Sequence, residues 1–227
     1  MKILLWNVEW ATQRSQRGKE ISRIFREVSP DIACITEGYL PFWEEEGNVI
    51  SSVEDYGYKI TEGRRKVILV SSSEWEDVDN VGNTVLPSGR YCFGRTHGYN
   101  IHGVCIPWER AHVSTGKKDR KAWEDHQLYL DGMKPLIKDA KEKTIILGDY
   151  NQRIPRTRIP ITVYEKLLDA FSTNLTISTT GMIEELNEQA IDHLAHTQDI
   201  QIKSIIPIAK TIGSLTLSDH FGLVIEI

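Results

Sequence analysis

Apolar positions along the chain fall into short runs separated by polar and turn residues. Eight of these runs read as strands: "KILLW", "DIACI", "KVILV", "RYCFG", "HGVCI", "TIILG", "AIDHLAH" and "FGLVIEI". Between some of them the period changes. In "SQRGKEISRIFREVSPDI", Ile21, Ile24, Phe25 and Val28 recur at helical spacing, and Ser29-Pro30 ends the helix before the next strand. A second helix is predicted from about Lys118 to Ala140, with Trp123, Leu128, Leu130, Met133, Leu136 and Ile137 as its apolar stripe and Asp119 as a candidate cap. A shorter one is predicted over Ile161 to Phe171. From Val67 to Ile106 the pattern is strand-rich and antiparallel in character. Strands with interspersed helices imply sheets covered by helices. No repeat or linker divides the chain, so residues 1–227 read as one domain.

Composition narrows the class. The chain is 40% hydrophobic and 26% charged, as expected of a globular protein, and its net charge of -5 argues against a globally basic nucleic-acid binder. A local basic rim is compatible with that total. Cys34, Cys92 and Cys105 lie far apart among apolar residues, which suits buried reduced thiols and a cytoplasmic location. No apolar run is long enough to span a membrane.

Four strands end in acids or amides. "ILLWNVEW" delivers Asn7 and Glu9, "DIACITEG" delivers Glu37, "TIILGDYN" delivers Asp149 and Asn151, and "LTLSDHFG" delivers Asp219 and His220. Singly, each reads as well as a turn or cap residue. Together they place carboxylates at the ends of four strands, and carboxylates that converge repel one another unless a cation balances them. Oxygen ligands suit Mg²⁺ or Mn²⁺, and no Cys/His spacing points to zinc.

"WNVEW", "ITEG", "LGDYN", "IDHL" and "SDHFGLVIEI" resemble, in that order, the motifs of the endonuclease/exonuclease/phosphatase superfamily. That group includes apurinic/apyrimidinic endonucleases, DNase I-like nucleases, sphingomyelinases and inositol polyphosphate phosphatases. The resemblance spans nearly the whole chain. It implies an α/β four-layer sandwich, two mainly antiparallel sheets face to face with helices outside, and metal-dependent cleavage of phosphate esters. On the matching motifs it implies that Asn7, Glu37 and Asp219 hold the metal, with Glu9 as a further ligand. Asp149 would activate water, Asn151 would hold that water or the phosphate, and His220, oriented by Asp192, would contact the scissile phosphate. The chain departs from the family at "GVCIPWERAHVS", where Cys105 and Trp108 stand in place of polar groups and Glu109, Arg110 and His112 are the candidate substitutes, with Arg110 and His112 favoured.

Basic segments accompany these motifs: "QRSQRGK", "GKKDRK" and "QRIPRTR" lie near motif loops, whereas "GRRK" reads as a solvated surface stretch. Arg153 opens a basic rim, and Trp10, Trp108 and Tyr150 are placed to stack on a base. Trp43, Trp75, Trp123, His126 and His193 read as structural. The expected activity is therefore a Mg²⁺- or Mn²⁺-dependent phosphodiesterase acting on nucleic acid. A small phosphorylated substrate is the alternative, and a non-catalytic binding module has no need of these acids.

Overall fold

In the computed structural model, which describes residues 1–227, twelve of sixteen strands form two six-stranded sheets. The first runs β13 (Ser204–Ile208), β16 (Gly222–Glu226), β1 (Lys2–Asn7), β2 (Ile32–Tyr39), β4 (Arg64–Ser71), β3 (Asn48–Ser51). The second runs β5 (Glu76–Asp79), β6 (Tyr91–Thr96), β7 (Tyr99–Cys105), β8 (Thr144–Asp149), β12 (Asp192–Thr197), β9 (Leu175–Ile177). Only β1–β2 and β7–β8 pair in parallel. Two small hairpins complete the set: β10 (Met182–Ile183) with β11 (Glu188–Gln189), and β14 (Thr211–Ile212) with β15 (Leu215–Thr216).

The unbroken apolar runs follow from covering both sheet faces. Alternate residues of β1 show it: Ile3 and Leu5 face the second sheet and share a core with Ile145 and Leu147 of β8. Leu4 and Trp6 face the other way, onto Ile21, Ile24 and Phe25 of helix α1 (Gln16–Val28). On the far side, Ile146 and Val104 pack beneath Tyr129 and Met133 of α3 (Glu124–Ile137) and Leu167 and Phe171 of α4 (Ile161–Phe171). The four layers are helix, sheet, sheet and helices, as expected. Each fully buried Leu or Ile contributes on the order of 1.5–3 kcal/mol, more than an exposed ion pair, so the three apolar cores between these layers hold the fold. Cys34, Cys92 and Cys105 are all free thiols within the layer between the sheets.

The helices agree with the periodicity except at one end. Ser15 caps α1 by accepting from the Gly18 N–H at 3.0 Å, and left-handed Ser29 ends it. Helix α4 has the predicted bounds. Helix α3 starts at Glu124 rather than near Lys118, and Asp119 does not cap it. The Arg120 and Trp123 N–H groups donate instead to His112 O and Glu109 O, so the residues before Glu124 are tied to the preceding loop. A one-turn helix α2 (Leu40–Trp43) was not legible in the pattern. Gly148 does not make a turn. It lies within β8 opposite Val104 of β7, where an added Cβ would sit 1.8 Å from Val104 O.

Candidate active site

The two sheets end on a common rim, and the polar strand ends meet there. Asn7 closes β1 in the first sheet and Asp149 closes β8 in the second. The Asn7 Nδ2 donates to Asp149 Oδ2 at 3.2 Å across the sandwich. Asn7 is oriented by its own turn, since its Oδ1 accepts from the Glu9 N–H at 2.9 Å. Asp149 and Asp192 are register partners on β8 and β12, which sets two buried carboxylates side by side. His220 arrives on the loop before β16. Ser218 ties that loop to β1, donating to Asn7 O at 2.7 Å and accepting from the His220 N–H at 3.2 Å. The ring then donates Nδ1–H to Asp192 Oδ2 at 2.6 Å.

Asn151 adopts a left-handed backbone, φ 53°, which Asn tolerates better than most residues. Its N–H donates to Asp149 Oδ1 at 2.8 Å and its side-chain amide donates to Ile106 O at 2.9 Å. Ile106 of the "CIPW" segment therefore contributes its backbone carbonyl to the support of Asn151. Glu9, Trp10 and Glu37 also have positive φ.

Electrostatics distinguish the roles. Burial raises the Asp149 carboxyl, Asp192 and Glu37 push it the same way, and His220 with the Asn151 N–H offsets them only in part. Burial alone would lower His220, but the Asp192 carboxylate, aided by Asp149 and Asp219, reverses this and lifts the ring to about 10. The ring is thus an imidazolium at neutral pH.

Glu37 pairs with Lys66 of β4, Nζ to Oε1 2.5 Å. The "GRRK" segment is therefore part of the rim and not the solvated stretch expected; Arg64 also lies over the Trp10 ring, 4.6 Å to its centroid. Asp219 is exposed, with Oδ1 3.9 Å from His220 Nε2. Glu9 pairs with Arg17 at 2.7 Å, which accounts for the first basic segment.

The remaining expected residues divide. Trp108, 40% exposed, lines a groove of about 440 Å³ with Trp123, Asn151, Arg153 and Arg158. Arg153 also borders a smaller cavity of about 120 Å³ beside Asp192, Lys210, Asp219 and His220. His112 and Arg110 make their contacts elsewhere: the His112 ring packs on Tyr58 and lies 3.8 Å from Asp125, and Arg110 bonds Ser114. Tyr150 is fully buried, donating to Ile146 O, so it is not free to stack on a base. Arg158 belongs to the basic "QRIPRTR" stretch, Lys210 carries no motif signal, and Lys66 is identifiable only once β4 is paired with β2.

His126 and His193 brace the Asp149–Asn151 loop from below. His126 donates to Pro107 O and takes the Gln152 amide on its other nitrogen, while His193 donates to Gln152 O and accepts from Thr179. Burial lowers both, His126 to about 4 from an ordinary 6.5. Their neutral forms are favoured in the folded state, so this stability is present above pH 6.5 and lost as pH falls below it, for His126 as pH falls toward 4. In the Asp149→Asn variant, which removes the opposing protonation of the raised Asp149 carboxyl, melting at pH 7 and pH 5 should show a drop, with His126 alone worth about 2 kcal/mol at the lower pH. An unchanged midpoint would mean these rings are charged when folded.

The donor set fits a hard divalent cation. Glu37 pairs with Lys66 and Asp192 with His220, whereas Asp149 is held only by the neutral donors Asn7 and Asn151. Asp192 Oδ1 is buried without a hydrogen-bond partner, and carboxylate oxygens of Asp149 and Asp192 lie within 4.8 Å of each other.

No protein-family model matches the chain, and no curated protein matches it. Solved structures do. The chain aligns over its whole length with the 3′ phosphatase NExo from Neisseria bound to a product DNA hairpin, at TM-score 0.74 and 18% identity, covering 99% of that chain. The chain has the DNase I-like fold. An AP endonuclease from Archaeoglobus fulgidus aligns at TM-score 0.69 and 18% identity, again over all of this chain and 99% of the other. A protein from Leptotrichia buccalis described as endonuclease/exonuclease/phosphatase family aligns at TM-score 0.62 and 14% identity, over 100% and 99%. No helix is long and apolar enough to cross a membrane.

Proposed function

We propose that the chain is a metal-dependent phosphodiesterase that hydrolyses nucleic acid by in-line attack of water. The observation that carries this reading is the Asp192–His220 pair set directly against Asp149 on one rim. An imidazolium is a donor for a non-bridging phosphate oxygen, and the adjacent raised carboxyl is a proton acceptor for water. Asp149 takes the proton from the attacking water, and Asn151 and Asn7 hold it or the phosphate in line. Glu37, with Asp219 and Asn7, would hold Mg²⁺ or Mn²⁺, which when bound supplies Lewis-acid stabilisation of the phosphate charge. Glu9 is held by Arg17 and serves as an outer support of that group.

Two features favour a polymer. The groove at Trp108 continues from Asn151 past Arg153 to Arg158, joining an exposed aromatic face to two guanidinium groups. The 3′ phosphatase bound to a DNA hairpin and the AP endonuclease share the fold and support the same direction. The small cavity at His220 has room for a single phosphate, which suits a small phosphorylated substrate as the second reading. Salt separates them. Binding of a labelled oligonucleotide should weaken steeply from 50 to 200 mM salt, and Trp108→Ala should weaken it by about 1–3 kcal/mol. Salt-insensitive turnover restricted to phosphomonoesters would favour the small substrate.

A further inference from the structure

The site contains a cation of its own that the proposed chemistry does not use. Lys66 lies opposite Glu37 on the neighbouring strand, between the register pairs Thr36↔Val67 and Gly38↔Arg65. Its stem is enclosed, with 11% of the side chain exposed against 22% for Glu37. The ammonium has one anionic partner, Glu37, and two aromatic neighbours, Trp10 at 5.1 Å and Tyr56 at 5.5 Å from the ring centroids. Trp10 is held in place by stacking on Tyr56 and by its N–H donating to Glu37 O at 2.7 Å.

This arrangement divides the rim. At one end His220 neutralises Asp192; at the other Lys66 neutralises Glu37; Asp149 lies between them. A divalent ion on Glu37 would bring a second cation against the same carboxylate, and two cations so close repel. Lysine is suited to yield. Its charge is a point on a flexible four-carbon stem, unlike the planar fork of arginine that locks a carboxylate. The aromatic faces beside it offer a second resting place for the displaced ammonium.

Resting on the proposed metal site, we infer that Lys66 is a resident counter-ion that occupies Glu37 until a divalent cation displaces it, and so sets the metal affinity of the site. Lys66 is thereby a positioning residue. It keeps the Glu37 carboxylate at the rim, on a residue whose backbone is left-handed, φ 53°.

Two readouts independent of turnover test this on the full chain. In Mn²⁺ titrations followed by electron paramagnetic resonance, Lys66→Met should bind Mn²⁺ about tenfold more tightly than wild type, the scale of one partly buried charged hydrogen bond. Lys66→Arg should bind more weakly than Lys66→Met, and Glu37→Gln should lose the site. In Mg²⁺ titrations, tryptophan fluorescence should change in wild type as the ammonium moves over Trp10. The change should vanish in both Trp10→Phe and Lys66→Met. Circular dichroism melts check that each variant folds, and Lys66→Gln replaces Lys66→Met if the latter does not. Equal or weaker Mn²⁺ binding by the folded Lys66 variants, with Glu37→Gln still abolishing it, overturns the role of Lys66 alone. Failure of wild type and Glu37→Gln alike to bind Mn²⁺ overturns the metal site and this inference with it.

Discussion

Asp149→Asn is expected to abolish phosphodiester cleavage while raising the melting temperature in EDTA. The activity loss, on the order of 10³–10⁴-fold, follows from removing the only carboxylate that both Asn7 and Asn151 hold toward the rim centre. The stability gain follows from the same site. Asp149 is buried beside Asp192, with Glu37 near enough to push its carboxyl upward. An amide of the same shape removes that repulsion. It loses one good hydrogen bond, since the Asn7 amide then meets a second amide, at a cost of about 0.5–1.5 kcal/mol. An ionised buried carboxylate costs several kcal/mol, so relief exceeds loss. Each kcal/mol gained raises the midpoint by about 2–4 °C in a chain of this size. Turnover assays and calorimetry on one preparation check both halves. A variant that is inactive and less stable would assign Asp149 to structure.

His220→Ala should have the opposite effect on stability. The Asp192 side chain is 3% exposed, its Oδ1 already has no partner, and its Oδ2 has only the His220 ring. Removing one partner of such a pair costs about 3–5 kcal/mol, or roughly 10 °C of melting temperature. Cleavage should fall at least 100-fold with it, because the imidazolium donor is gone. The double variant His220→Ala/Asp192→Asn discriminates between these effects. It should recover most of the stability, since no buried charge is left unpaired, and none of the activity. The pair also sets an alkaline limit. His220 is raised to about 10, so its contribution is fully present below pH 6.5 and is lost as pH rises through 10. Recovery of activity in the double variant would remove His220 from the chemistry.

The fold and most of the rim were legible because both are written in short-range patterns. Runs such as "TIILG" are apolar on both faces because helices cover the outside of each sheet, and polar residues at their ends then project from one edge. Asn7, Asp149, Asp192 and His220 could be named from those breaks and from motif order. Cross-strand register is different, because it depends on which strands pair and with what offset. Nothing local in "GRRK" tells that Lys66 opposes Glu37, or in "IDHL" that Asp192 opposes Asp149. Loop packing was equally hidden. Arg110 and His112 follow β7 closely, yet His112 turns to Tyr58 and Asp125. Tyr150 sits between two rim residues but points into the core against Phe171. Trp108 was read as accessible, and it lines the groove. The start of α3 was misjudged because Arg120 and Trp123 give their N–H groups to the preceding loop, a tertiary choice that helical periodicity does not contain.

Metal-dependent cleavage itself is the most direct measure of the account. The wild-type chain should cut an end-labelled oligonucleotide, or bis(p-nitrophenyl) phosphate, in Mg²⁺ or Mn²⁺, and should stop in EDTA. Asp149→Asn should be inactive in parallel. The absence of cleavage of DNA, RNA and the diester reporter in both metals, by a folded wild-type chain, would contradict it.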